Sequence, residues 1–266
     1  MFDARDPLIR FVRNPVTLSL LNALSVFATF SAHAVGLNDT GQTLCYDAAG
    51  TVISCTAPAG VATDDGRYGR DAAAAAGALT KTGAGAAGFD FTKIANDGSA
   101  LAAGAALGSN PTDWACTQDN VTGLMWEVKT TSGLRSSAYI YTWYDSNSAT
   151  NGGNAGTVSG GTCLTAGRCD TEKFVQDVNA VNLCGHSDWR LPSLRELKTI
   201  VHQGVANPSI DTTYFPNTVA SLFWSASTYI PLPTHAWLVN FSDGPGNAYS
   251  KSFSYFYVRL VRGGQF

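Results

Sequence analysis

Six cysteines, Cys45, Cys55, Cys116, Cys163, Cys169 and Cys184, place the tightest limit on how this chain can fold. All follow residue 34, and an even number behind an export signal points to disulfides rather than free thiols. Residues 1–34 read as that signal. Arg5, Arg10 and Arg13 form a basic start, Val16 to Phe30 an apolar stretch, and Ala32-His33-Ala34 a small-x-small cleavage site. The apolar stretch is short and interrupted by Thr17, Ser19 and Asn22, so no membrane span is expected after cleavage, and the expected location is secreted or periplasmic. The pairing of the cysteines stays open. Cys45 and Cys55 flank YDAAGTVIS, whose centre can turn a hairpin, and Cys163 and Cys169 close a short interval rich in Gly and Thr. Pairing each of these locally leaves Cys116 with Cys184. No two cysteines have the Cys-x-x-Cys spacing of a zinc site.

Composition divides the rest into unlike parts. Residues 35–60 form a disulfide-closed hairpin segment. In 61–112 the chain turns to Ala and Gly, which make up 25 of the 50 residues from Val61 to Asn110. Such residues bury little apiece, so this stretch is expected as an arm or thin layer against something else. Ala72 to Ala78 can make a short helix, with Asp71 as its cap. Gly83-Ala84-Gly85-Ala86-Ala87-Gly88 has the form of a dinucleotide-binding glycine pattern. It lacks the strand before and the helix after that such chemistry needs, so a turn is expected. All six Trp fall between 114 and 237, placing the main domain at 113–266.

Within that domain Asp170 or Thr171 caps a helix running to about Leu183, with Phe174, Val178 and Val181 on its apolar side. Ser193 caps a second, where Glu196 completes a capping box and Leu194, Leu197, Ile200 and Val201 make the stripe. Beyond Pro208 the pattern turns to strands. In His235 to Phe241, Trp237, Val239 and Phe241 share one face and Leu238 and Asn240 the other. Residues 243–247 turn the chain, and Ser254 to Arg262 reads as a last strand. Helices followed by antiparallel strands give an α+β class.

The strings TGLMWE (122–127), LCGHSDWRLPSLREL (183–197), FWSAS (223–227), HAWLVNFSDG (235–244) and YVRLVRGG (257–264) resemble the Lcl C-terminal domain family, in the expected order over about 150 residues. The stretch YGRDAAAAAGALTKTGAGAAGFDFTKI before them is also similar to what exported bacterial members carry. More distantly, the WRLPS-x-x-EL and VRLVRGG landmarks resemble the C-type-lectin-like fold of formylglycine-generating-enzyme domains. The resemblance implies two helices beside a twisted, mainly antiparallel sheet, and an adhesin associated with sulfated glycans. This chain has no Gly-x-y repeat, so the collagen-like trimer of such adhesins is not implied.

For function, a net charge of −3 argues against a nucleic-acid partner. An enzyme is not expected. The histidines after the signal are His186, His202 and His235, with no nucleophile elbow or helical zinc motif, and the late cysteine pair of formylglycine-generating enzymes is missing. A binding or adhesion protein fits better, its ligand a glycan or surface polymer; the alternative is a structural component of the cell surface or a secreted assembly. Between Thr228 and Tyr257, aromatic residues alternate with Ser, Asn, Asp and Gly, the mixture that serves adaptable binding faces. Asn240, Ser242, Asp243, Asn247, Tyr249 and Tyr255 are the candidate contact residues. After the leader, residues 223–266 are the only net basic part, with Lys251, Arg259 and Arg262 against Asp243. For an anionic glycan this cluster would have to face one way; the strand period sets Arg259 and Arg262 on opposite sides. No cofactor is implied; for calcium, Asp243 with Asn247 in the turn is the one hint.

Overall fold

The computed structural model describes residues 38–57, 64–252 and 255–264, so the signal-like leader lies outside the described residues. The fold is mixed α+β, with mostly antiparallel sheets and few helices. A small hairpin comes first, β1 (Cys45–Tyr46) against β2 (Val52–Ile53), its turn held by Asp47, whose carboxylate accepts from the Ala49 and Thr51 amides. Two short helices follow, α1 (Asp65–Tyr68) and α2 (Arg70–Ala75). Asp71 does not cap the second, as the sequence had suggested. It sits inside the first turn, Gly69 is the N-cap, and the Asp71 carboxylate accepts instead from the distant Gly88 amide at 2.8 Å.

The main sheet has five strands in the order β10–β6–β5–β3–β4, all antiparallel: β3 (Phe91–Ala95), β4 (Ala100–Leu101), β5 (Trp114–Asp119), β6 (Met125–Glu127) and β10 (Val261–Arg262). A second sheet contains β7 (Leu222–Thr228), β8 (His235–Asn240) and β9 (Gly246–Ser250). The expected domain start at 113 thus falls between strands of one sheet, because β3 lies between β4 and β5. The Ala/Gly-rich arm contributes that strand and sends Phe89 and Phe91 into the interior, fully buried.

The helices α3 (Thr171–Ala180) and α4 (Leu194–Lys198) start where the capping residues place them. Asp170 accepts from the Lys173 amide, and the Ser193–Glu196 box is complete in both directions. Helix α4 stops at Lys198, yet Ile200 and Val201 are buried beyond it. The three disulfides are Cys45–Cys55, Cys116–Cys184 and Cys163–Cys169.

The interior is two cores sharing strands as a common wall. Trp143, Trp189, Trp224, Phe174, Leu238 and Leu260 belong to the first; Phe89, Phe91, Trp126, Phe215, Phe223, Val239, Phe241 and Val261 belong to the second. Neighbouring residues such as Phe223 and Trp224, Leu238 and Val239, or Leu260 and Val261 therefore point to opposite cores. Period-2 alternation holds, but both faces are covered, so the run is apolar rather than alternately polar. The last expected strand is a correction of another kind. Only Val261–Arg262 is regular, and upstream residues bridge singly, Phe256 to Tyr141 and Tyr257 to Phe223. Ser254 lies outside the described residues.

Candidate functional site

The six candidate contact residues separate into two groups. Asn240, Ser242 and Asp243 sit at the β8–β9 turn, where the Asn240 side chain accepts from the Ser242 amide and the Ser242 hydroxyl donates to the Ala220 carbonyl. Their polar groups shape the turn; Asp243 is exposed. Asn247 and Tyr249 lie two apart on β9, the end strand of its sheet, and so share a face. Tyr249 is 42% exposed and stands edge-on against Phe256, with ring centroids 5.1 Å apart. Phe256 and Tyr257 both pack inward, against Trp224 and Phe223. Tyr255 projects outward at 47% exposure, its ring beside Gly160, where a Cβ would lie 3.0 Å from it. Of the six candidates, Tyr249 and Tyr255 present exposed rings, and Asn247 shares the face of Tyr249 on β9.

The loop from Trp143 to Asp170 meets this part of the chain. Cys163–Cys169 closes part of it, and the Thr157 hydroxyl donates to the Ser252 carbonyl. Lys251, just after β9, is fully buried: its ammonium donates to the Asn151 and Asn154 carbonyls and to the Thr228 hydroxyl, and lies 3.9 Å from the Trp143 ring centre. Burial pulls it down to about 8, with the Asp145 charge acting weakly in the other direction.

Arg259 is also fully buried. It donates to the Glu127 carbonyl at 2.6 Å and the Thr218 hydroxyl at 2.7 Å, and burial lowers it to about 10. Nearby, Lys129 pairs with Glu127 at 2.8 Å, and burial draws it down to about 8 against the pull of that carboxylate. Arg262 meets Asp188 at 2.7 Å. The basic cluster needed for an anionic ligand therefore does not present itself: two of its three cations are interior and the third is paired. Sequence reasoning missed this because nothing in the local pattern of Lys251 marks it as buried; its two carbonyl acceptors lie about a hundred residues away.

The WRLPS-x-x-EL string is a folding device. Arg190 forks onto Glu196 through two bonds of 2.8 and 2.6 Å, Glu196 returns to the Ser193 amide, and the Trp189 indole donates to the Leu183 carbonyl. The glycine pattern at 83–88 is likewise a turn whose amides are already engaged: Gly83 donates to Asp90, Ala86 to Asp211 and Gly88 to Asp71. A phosphate would have to displace three carboxylates there. A hollow of about 920 Å³ opens between Asn96, Pro111, Leu134 and Val181. Much of its polar lining is spent on its own walls: Asn96 binds three carbonyls, Arg135 those of Ala115 and Val128, and Asn217 that of Lys129. Asp243 belongs to no group of three or more potential metal ligands among the described residues.

Among the helices of the described residues, none is long and apolar enough to cross a membrane. In comparisons with known proteins, the family model of the Lcl C-terminal domain matches residues 115–262. No curated protein and no solved structure matches the chain.

Proposed function

The chain belongs to the Lcl C-terminal domain family, and from that premise we propose that it is an exported, non-enzymatic binding protein whose ligand is an uncharged glycan or surface polymer. The observation that carries this reading is the exposure of two aromatic rings. Tyr249 and Tyr255 are each more than two-fifths exposed, Tyr249 backed by the Phe256 ring, among Ser, Gly and Asn. Rigid aromatic faces supply contact area at little entropic cost, and their hydroxyls add polar contacts. The interior placement of Lys251 and Arg259 favours a neutral ligand over a sulfated one. Three disulfides and the leader-like residues 1–34 support a secreted or periplasmic location. The helices α3 and α4 beside twisted antiparallel strands suit a C-type-lectin-like arrangement.

A glycan and polysaccharide array on the purified protein, run at low and high salt, tests the reading. Neutral glycans should bind with little dependence on salt, and Tyr249→Ala with Tyr255→Ala should weaken binding about tenfold or more while leaving the fold intact. Binding confined to sulfated polymers and abolished by salt, or unchanged by the double substitution, would overturn it.

A further inference from the structure

A cluster of three acids lies in residues outside the family match. Asp39, Asp65 and Asp71 each offer a carboxylate oxygen, all within 4.8 Å of one another. They come from three separate stretches: the segment before β1, the start of α1 and the first turn of α2. Asp39 is 5% exposed, Asp71 1%. Both oxygens of Asp39 and one of Asp71 have no hydrogen-bond partner among the described residues, although buried polar atoms are nearly always satisfied. The other Asp71 oxygen accepts from the Gly88 amide, and Asp65 takes the Thr40 hydroxyl at 2.5 Å. None of the ion pairs among the described residues involves these three acids. Arg70, the nearest cation along the chain, directs its Nε to the Gly88 carbonyl. Two glycines wall the cluster: a Cβ on Gly69 would strike the Asp65 carboxylate, and one on Gly88 that of Asp39.

We propose that Asp39, Asp65 and Asp71 bind one calcium ion, which fastens the N-terminal segment and the α1–α2 pair to the turn at Gly88. Three carboxylates converging in a buried space repel one another unless a positive charge joins them. The donor set is oxygen only, with no His or Cys, which selects a hard cation over zinc or copper. Ligands from three irregular stretches suit calcium, which accepts variable geometry, better than magnesium, which demands a near-ideal octahedron. The competing occupant is a proton shared by Asp39 and Asp71. The location also explains what an ion would do: Asn38 donates to Asp119 and to the Thr199 carbonyl, and the Gln203 amide donates to the Thr40 carbonyl, so the segment is already seated on the domain where Asp39 turns inward.

The purified protein is stripped with EDTA, then titrated with calcium chloride or magnesium chloride by calorimetry and followed in thermal unfolding. One calcium per chain is expected, with the melting temperature rising by roughly 5–10 °C at a hundredfold excess over Kd. Asp39→Asn should abolish both responses. Asp65→Asn, at the half-buried rim, keeps the test available if the interior variant does not fold, and should weaken calcium binding about tenfold or more. Asp243→Asn should leave the response unchanged. No heat and no shift with calcium, a magnesium response equal to the calcium one, or a calcium response that survives Asp65→Asn and disappears in Asp243→Asn would each overturn the assignment.

Discussion

The two cores are built from different materials. The first holds Trp143, Trp189 and Trp224 and is cross-linked through Cys116–Cys184, and all its residues except Ile94 fall within the family match. The second is rich in phenylalanine, contains no disulfide, and takes Phe89 and Phe91 from outside the match. One core is closed by covalent chemistry and bulk; the other is closed by a stretch whose composition looks too thin to matter. A segment rich in Ala and Gly can hold a core together if it supplies a strand paired on both sides and two large side chains at the right places.

The largest effect should come from removing that stretch. A chain starting at Asp113 loses β3 and both phenylalanines, and should lose cooperative unfolding and its near-ultraviolet circular dichroism; a sharp transition would show that the first core stands alone. Next come single deletions on each side. Phe91→Ala should cost about 3–5 kcal/mol. The double substitution Cys116→Ala with Cys184→Ala should cost about 2–5 kcal/mol, since it frees a long loop in the unfolded chain. Urea unfolding measures both, and the comparison sharpens if dithiothreitol weakens the Phe91→Ala protein and the parent equally. The smallest effect is on pH. Lys129 and Lys251 are held near 8 by burial against an ordinary value of 10.5, so between these pH values the unfolded chain carries protons the folded one lacks. Stability contributed by these lysines therefore rises as pH climbs from about 8 towards 10.5. Lys251→Met should flatten part of that rise in melting temperature; an unchanged slope would place its ammonium in solvent.

Local signals were legible in the sequence. The Ser193–Glu196 box and the Asp170 cap are chemistry within four residues, and they stand where the pattern puts them. The cysteine spacing suggested the three pairs that form. What depended on distant partners was not legible. The strand period set Leu238 and Val239 on opposite faces, but not that each face would meet a core. The burial of Lys251 and Arg259 could not be read locally, because their acceptors, Asn151 and Glu127, are remote in sequence. Of the candidate contact residues, Asn240 and Ser242 carry the polarity expected of a binding face, yet it is spent inside the fold, Asn240 on the Ser242 amide and Ser242 on the Ala220 carbonyl. Asp39, Asp65 and Asp71 have no motif at all; only the fold makes them neighbours.

The stretch from Phe256 to Arg262 touches four separate places: Tyr141, Leu222 with Trp224, Glu127 and Arg190. Seen from the ribosome, each of those places waits for the same late arrival. Strands β6 and β7 emerge with one side unpaired and stay so until these residues have been made, which delays the commitment of the nascent chain to its final shape.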